Sequence, residues 1–159
     1  MSSDVLLQFH VIVSLVGIAS GFVVLYGLLN GRLLNGWTAL FLATTVLTSA
    51  TGFALPPFDF DAARVVGTIS LILLAAAIAA LYVFHLAGAW RWIYIVSALA
   101  ALYLNCFVGV VQAFQKVPSL AALAPTQSEA PFKIAQLALL ALFVVFGIVA
   151  LRRFRPQLA

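Results

Sequence analysis

Residues 5–29 read VLLQFHVIVSLVGIASGFVVLYGLL, and the length and apolar character of this stretch decide the fold. A hydrocarbon core about 30 Å thick is crossed by roughly 20 apolar residues in an α-helix. Four more runs of this kind follow, at residues 37–55, 63–84, 92–114 and 132–151. None of them alternates as a spanning strand would, and lipid cannot satisfy open backbone groups. The sequence therefore predicts an all-α integral membrane protein, a bundle of five transmembrane helices in a single domain over residues 1–159.

The composition excludes a soluble globule, because 65% of the residues are hydrophobic and only 8% are charged. A mean hydropathy of +1.21 leaves too little polar surface for water to solvate. The only cysteine, Cys106, lies inside an apolar run and has no partner for a disulfide or a cysteine-type metal site. We interpret it as a small buried apolar residue.

The orientation follows from the basic residues, because Lys and Arg are enriched on the cytoplasmic side of membrane proteins. With five helices, one side of the membrane carries Arg32, Arg91, Arg152, Arg153 and Arg155. The other side carries Arg64, Lys116 and Lys133, together with the acidic residues Asp4, Asp59, Asp61 and Glu129. This distribution predicts that the amino terminus lies outside and the carboxyl terminus inside.

Polar side chains within the predicted helices gather near the outer ends of those helices. The candidate ligand-binding residues are His10, Ser14, Thr48, Thr51, Thr68, Asn105, Gln112 and Gln136. They come from all five helices and lie within about 15 Å of the outer face by helix rise. Because unpaired polar groups are costly in hydrocarbon, we expect them to face inward and form a pocket in the outer leaflet. The inner half is almost entirely apolar, which disfavours a continuous pore.

The same polar residues have a simpler interpretation as contacts between helices. Ser, Thr, Asn and Gln in membrane helices often form interhelical hydrogen bonds worth about 0.6 kcal/mol each. Gly17 and Gly21, four residues apart, are typical of close helix packing. His10 is different, since an ionisable side chain within a membrane indicates function by default. A neutral His10 bonded to a neighbouring Gln or Thr remains an equal alternative.

The second histidine, His85, stands at the inner end of the third predicted helix, just before Trp90, Arg91 and Trp92. Aromatic and basic residues at that level predict an interfacial belt. Helix rise separates His85 from His10 by roughly 20–25 Å, so one haem iron cannot take both. No cofactor is expected, and haem held by a single His10, or by two copies of His10 across a dimer, is a less favoured alternative.

Catalytic and metal-binding groups are scarce in this sequence. No acidic residue lies inside a predicted helix, so neither a carboxylate pair nor a carboxylate-bridged metal site is expected in the membrane. The sequence also has no G-x-S-x-G motif and no phosphate-binding glycine loop. We therefore expect a protein that is not an enzyme and holds no metal.

The longest connection, residues 116–131 on the outer side, is not simply polar. Residues 118–125 read PSLAALAP, which predicts two turns of apolar helix. Such a segment would lie in the membrane interface as a linker, or fold over the outer mouth of the bundle as a lid.

Three stretches of the chain resemble those of small uncharacterised inner-membrane proteins of bacteria. They are residues 47–53 (LTSATGF), 88–94 (GAWRWIY) and 124–132 (APTQSEAPF), and the resemblance spans most of the chain. It implies a bacterial inner (plasma) membrane location and transfers no functional residue.

Two function classes follow from the polar distribution. In the first, the outer-leaflet pocket binds a small amphiphile, a lipid or a quinone-like molecule. In the second, the protein is a structural or accessory subunit without its own ligand, packing against copies of itself or a larger membrane complex. A transporter is less favoured, because discontinuous helices at the midplane are not evident. The expected partners are membrane lipids and such protein subunits, and no nucleic acid.

Overall fold

The computed structural model describes residues 3–56 and 62–155, and every regular element in this part of the chain is helical. The helices are α1 (Ser3–Leu29), α2 (Asn35–Phe53), α3 (Ala62–Ile78), α4 (Trp90–Lys116), α5 (Pro118–Leu123) and α6 (Ala130–Arg153). The expected all-α fold is therefore confirmed. Asp59 and Asp61 lie outside the described residues.

Four of the helical segments are long and apolar enough to cross a membrane. They are Asp4–Leu29, Ala62–Val83, Trp90–Lys116 and Ala130–Arg153. The remaining long helix, α2, has 19 residues but is less apolar, because threonine and serine residues interrupt its sequence. Four of the five expected spans thus meet the criteria of length and apolarity, and α2 does not.

The third helix ends differently from the sequence-based expectation of one α-helix over residues 63–84. Its α-helical part stops at Ile78 and continues as one π-helical turn, Ala79–Val83. This wider turn is closed by bonds from the backbone N–H of Phe84 to Ala79 O at 3.0 Å and of Leu86 to Ala80 O at 2.9 Å. The chain then reverses through positive φ angles at His85, Leu86 and Gly88.

Helices α1 to α4 form a ring, and α6 lies outside it. In the ring α1 packs on α2, α2 on α3 and α3 on α4, and α4 closes the ring against α1, while α6 packs on α4 and α1. One end of the bundle, which we call the closed end, contains residues 29–35, 84–90 and 153–155. The open end contains residues 3–4, 53–56, 62–64 and 116–130.

The closed end is filled by a continuous apolar core. Fully buried side chains there include Leu28, Phe41, Leu74, Tyr94 and Phe154. The rings of Tyr94 and Phe154 pack with their centroids 6.1 Å apart. This packing fills the interior of the ring at the closed end, as the scarcity of polar residues in that half of the predicted helices indicates.

Two arginines fasten the chain beyond α6 to the closed end. Arg91 Nη1 donates a hydrogen bond of 2.9 Å to Phe154 O, and Arg153 Nη1 donates one of 3.5 Å to Leu29 O. The carbonyls at helix ends lack intrahelical partners, so a cationic donor there is favourable. Residues 153 and 154 therefore connect the end of α6 to the end of α1 and the start of α4.

Gly17 and Gly21 face the interior of the ring and allow α1 to approach its neighbours. A Cβ at Gly17 would lie 3.3 Å from the hydroxyl oxygens of both Thr44 and Thr45. At Gly21 it would collide with the Leu102 side chain, and Phe41 ring carbons lie 3.0 Å away. The contact made by this pair of glycines is thus internal to the chain.

Candidate functional site

The open end of the bundle contains a cleft of about 820 Å³ enclosed by α1, α2, α3 and α4. Its residues recur along one face of each helix, as on α4, where Asn105, Val108, Gly109, Gln112 and Lys116 line it. From Lys116 to Asn105 the cleft extends roughly 16 Å along the helix axis. This size suits small ligands, whose pockets typically measure about 300–1,000 Å³.

The lining changes from charged at the mouth to apolar in the walls and neutral polar at the floor. The mouth carries Asp4, Arg64 and Lys116. The walls include Leu7, Val11, Leu15, Val66 and Val108. The floor is formed by one polar side chain or more from each helix of the ring, namely Ser14, Thr48, Ser49, Ser70 and Asn105.

His10 lies between the mouth and the floor and is bonded across the cleft wall to α2. Its Nδ1 is 2.9 Å from Thr51 Oγ1. Thr51 also donates its hydroxyl hydrogen to Leu47 O, one turn earlier, at 2.7 Å. A neutral His10 bonded to a threonine, one of the two expected states, is therefore compatible with a side chain that also lines the cleft.

The expected site residues separate into three groups. Five of them line the cleft: His10, Ser14, Thr48, Asn105 and Gln112. Thr51 does not line it but holds His10. The remaining two lie elsewhere: Thr68 is exposed and bonds back to Arg64 O at 2.8 Å, and Gln136 donates to Phe107 O at 3.2 Å.

Gln136 corrects the expectation that all five long helices surround the pocket. It joins α6 to the outside of α4, and among the described residues α6 contributes none to the lining of the cleft. The reason is the ring arrangement, because helix rise gave the depth of Gln136 but not the side of α4 on which α6 packs.

Three glycines make room in the upper half of the cleft. A Cβ on Gly52 would contact His10 Cε1 at 3.5 Å, one on Gly67 would meet the Phe53 ring at 3.2 Å, and one on Gly109 would meet only Ile18 Cδ1 at 3.8 Å. Gly109 therefore borders open space, and a larger side chain at this position would extend into the cleft.

Arg64 connects the mouth of the cleft to the end of α2. Its Nη2 donates hydrogen bonds to Leu55 O at 3.2 Å and Phe53 O at 3.4 Å. These carbonyls end α2, where a positive charge is favourable. A smaller groove of about 340 Å³ lies on the outer side of α1, and it shares Leu7, Val11 and Lys116 with the cleft. The gap between α1 and α4 thus borders both spaces.

The connection between α4 and α6 does not cover the cleft. Helix α5 packs on α4, and the described lining residues include none from 117–131. Gln127 Nε2 donates to Val111 O at 3.0 Å, which fixes the following turn to α4. The expectation of a short helix is correct, whereas this structure does not show the lid arrangement.

Glu129 organises the turn before α6. Thr126 donates its hydroxyl to Glu129 Oε1 at 2.8 Å, and the Ser128 N–H donates to Oε2 at 3.0 Å. The hydrogen bond from the Thr126 hydroxyl, which favours the ionised carboxylate, lowers the pKa of Glu129 below its ordinary value of 4.5.

The residues expected to form an interfacial belt all lie at the closed end. His85 is exposed, with its Nδ1 3.1 Å from Val83 O, and Trp90 stacks on Phe84 with ring centroids 3.7 Å apart. Arg91 lies 6.0 Å from the centre of the exposed Trp92 ring. The two histidines are therefore at opposite ends of the bundle.

The described residues contain no group of three or more His, Cys, Asp or Glu side chains that could hold a metal ion. In the same part of the chain, His10 is the one histidine that lines the cleft. A haem in the cleft would thus have His10 as its histidine ligand.

Sequence reasoning missed Ser49 and Ser70 on the floor and the three glycines of the walls. On α3 the signal was the spacing of Arg64, Gly67 and Ser70, which places a charge, a gap and a hydroxyl on one helical face. Ser49 follows directly after Thr48, so both reach the floor from neighbouring positions.

No protein-family model, no curated protein and no solved structure matches this chain.

Proposed function

We propose that this protein spans the membrane five times and binds a small amphiphile, a lipid or a quinone-like molecule in the cleft. The observation that supports this function is the layered lining, in which polar groups lie beneath apolar walls. A molecule with one polar end and one apolar end matches such a lining. Ligand pockets commonly combine mostly apolar walls with a few placed polar groups.

The proposal counts α2 as the fifth span. Its polar residues Thr38, Thr45 and Ser49 are buried in the bundle, while its exposed side chains include Trp37, Leu40 and Leu47. The surface that α2 would present to lipid is therefore apolar, although its average composition is less so. Its 19 residues extend roughly 28 Å, close to the thickness of a hydrocarbon core.

The proposed orientation places the open end outside a bacterial inner membrane and the closed end in the cytoplasm. The closed end carries Arg32, Arg91, Arg152, Arg153 and Arg155. The open end carries fewer basic residues, and the excess of arginine on one side supports this orientation.

Labelling can test both the fifth span and the orientation. In a Cys106→Ala background, Gly36→Cys and Ala54→Cys place single thiols at the two ends of α2, both at exposed positions. In intact spheroplasts, a membrane-impermeant maleimide should label the Ala54→Cys variant. The Gly36→Cys variant should react only after lysis. Equal labelling of both variants from outside would contradict a transmembrane α2.

The packing of Gly17 and Gly21 within the chain favours binding in the cleft over a purely structural role. The Gly17 and Gly21 face packs against α2 and α4 of the same chain, so it is not available to a second copy. This face therefore does not support the structural alternative. The cleft is a separate feature, because interhelical packing does not fill it.

The decisive experiment is to purify the protein in a mild detergent and identify what remains bound by native mass spectrometry and organic extraction. We expect a stoichiometric amphiphile in the wild-type protein and its loss in His10→Ala. Gly109→Leu should also lose it, because the new side chain occupies the cleft while its Cβ meets only Ile18. A visible spectrum recorded on the same sample would reveal haem by its Soret band.

Gly147→Leu is the matched control. It makes the same substitution on α6, where a Cβ would meet nothing within 4 Å, and it is not part of the described cleft lining. This variant should retain the ligand. An empty wild-type protein, or one that is recovered only with other subunits, would contradict the proposal and support the accessory role.

A further inference from the structure

We propose that the cleft selects an amphiphile with an uncharged, hydroxyl-bearing head group, and that this head group lies on the floor of the cleft. This inference rests on the proposed function. It is supported by three observations, namely the serine hydroxyls of the floor, the proton position on His10 and the distribution of charge.

The floor carries hydroxyl groups without a protein partner. Ser49 and Ser70 are 8% and 3% exposed, Ser14 is half-buried, and their hydroxyls make no hydrogen bond to the described residues. Several other hydroxyls in these helices bond back to a carbonyl one turn earlier, whereas Thr38 Oγ1, buried at the closed end, has no partner among the described residues. The Ser20 hydroxyl bonds to Val16 O at 2.7 Å and that of Thr44 to Leu40 O at 2.7 Å. The floor hydroxyls border the cleft, so a ligand with polar atoms at that depth would complete their hydrogen bonding.

Asn105 adds an amide to the same floor. It is 9% exposed, and its Nδ2 makes one long hydrogen bond of 3.5 Å to Thr45 Oγ1. A side-chain amide has two donor hydrogens and an acceptor oxygen, so this single bond leaves further capacity for a ligand. The floor can therefore both donate to and accept from one head group.

The hydrogen bonds around His10 assign its proton. The Thr51 hydroxyl has one hydrogen, which the 2.7 Å bond to Leu47 O uses. With the hydroxyl hydrogen directed to Leu47 O, Thr51 Oγ1 accepts from His10 Nδ1–H across the 2.9 Å contact. In this neutral tautomer Nε2 carries a lone pair and no hydrogen. In this tautomer His10 offers the cleft an acceptor at Nε2, which requires an O–H or N–H donor.

The charges of the cleft are confined to the mouth. Lys116 is roughly 16 Å above Asn105 along α4, and Arg64 is roughly 9 Å above Ser70 along α3. The floor itself carries only hydroxyl and amide groups. An ionised head group on the floor would have no counter-charge and would lose its hydration, which is costly in a membrane interior. A head group on the floor must therefore be neutral.

Apolar side chains of α1 provide a path for the apolar tail of the ligand. A tail rising from the floor passes the walls of Leu15, Val11 and Leu7. The smaller groove outside α1 shares Leu7, Val11 and Lys116 with the cleft. A tail can therefore leave between α1 and α4 toward the lipid, while the head group stays inside.

Two sources share this chemistry, an aromatic hydroquinone and an aliphatic alcohol such as a monoglyceride, and binding measurements can separate them. The delipidated protein is titrated by calorimetry with decylhydroquinone under argon and with monodecanoylglycerol. Decylhydroquinone dimethyl ether keeps the ring but cannot donate a hydrogen bond, and decyl phosphate tests an anionic head. Because Cys106 is the only cysteine and is buried, a fluorogenic maleimide reports unfolding in parallel.

At least one hydroxyl probe should bind about tenfold or more tightly than the dimethyl ether and the decyl phosphate, since a site built for a hydroxyl rejects analogues that lack it. The probe that binds more tightly identifies the source. Ser49→Ala combined with Ser70→Ala should reduce the preference for the hydroxyl probe over the ether to about threefold or less. Ser97→Ala, a buried serine of α4 outside the described cleft lining, is the control and should preserve the preference.

Equal binding of the ether, or tighter binding of decyl phosphate, would overturn the head-group assignment and leave a cleft that binds amphiphiles. A preference unchanged in the double serine variant would also overturn it. If no probe binds and the purified protein carries no amphiphile, the proposed function fails as well.

Discussion

Gly21→Ala tests the close approach of α1 to the rest of the ring. A Cβ at this position would collide with the Leu102 side chain and lie 3.0 Å from two carbons of the Phe41 ring. Both neighbours are 1% exposed, so neither has free space into which it can move. Adding one methyl group to such a tightly packed core costs about 1–3 kcal/mol.

The expected loss can be measured as a shift of the melting temperature in detergent. In soluble proteins of about this size, 1 kcal/mol corresponds to roughly 2–4 °C. The reaction of Cys106 with a fluorogenic maleimide follows unfolding, because this thiol is buried in the native protein. We expect the Gly21→Ala variant to melt at least about 2 °C below Gly147→Ala, in which the same substitution meets no neighbour and gains the same helix propensity.

Gly147→Ala is the control, since a Cβ there meets no atom within 4 Å. Alanine is the better helix former by about 1 kcal/mol in soluble helices, so this variant should be unchanged or slightly more stable. If Gly21→Ala melts at or above Gly147→Ala, α1 does not pack as closely as described. The account of the ring would then be wrong.

Three further predictions concern other parts of the molecule. Thr51→Val removes the hydrogen-bond acceptor for His10, so ligand affinity should fall. The melting temperature should change little, because interhelical hydrogen bonds in membranes average about 0.6 kcal/mol. A large loss of stability without loss of ligand would contradict this role. Phe154→Ala leaves a cavity at a fully buried position and should lower the free energy of unfolding by about 3–5 kcal/mol, measured by thermal unfolding. Phe22→Ala, at an exposed position, is the control. Comparable changes of melting temperature in the two variants would refute the anchoring of residue 154. Glu129 is the only glutamate, so ¹³C-glutamate labelling gives a single carboxyl signal, which should titrate below 4.5 and move toward 4.5 in Thr126→Ala. Because the pKa of Glu129 is lowered in the folded state, its carboxylate stabilises the turn above the ordinary pKa, and this stabilisation is lost as the pH falls through the lowered value. Amide exchange of residues 126–129 should therefore become faster at acid pH. Unchanged exchange would contradict this expectation.

The long helices could be predicted because apolar length alone defines a membrane span. Each predicted run begins and ends within a few residues of an observed helix, with α3 as the exception. Its change from α-helix to π-helix at Ala79 depends on how the turn through His85 and Leu86 packs, and a hydropathy pattern carries no such information. Helix α2 is less apolar than the other long helices because it contains several threonines. Neighbouring helices bury these threonines, and the sequence alone does not identify those neighbours.

The sequence predicted how far along each helix the site residues lie, but only partly which of them face the cleft. Helix rise placed His10, Asn105 and Gln112 at the same end, and all three line the cleft. It could not show that Gln136 faces the outside of α4, because that depends on the order of helices around the ring. Ser70 was missed although its spacing from Arg64 and Gly67 places the three residues on one face of α3, because that spacing does not show which neighbours the face meets.

The fastening of the closed end by Arg91 and Phe154 has a consequence for how the protein is made. Residues 153 and 154 are synthesised after α1 to α4, yet they contact the end of α1 and the start of α4. During translation α1 to α4 are therefore complete before the groups that close this end of the bundle have been made. The newly inserted chain passes through a stage in which that end is unsealed, and release from the insertion machinery with α6 unfinished would leave the buried face of Tyr94 exposed.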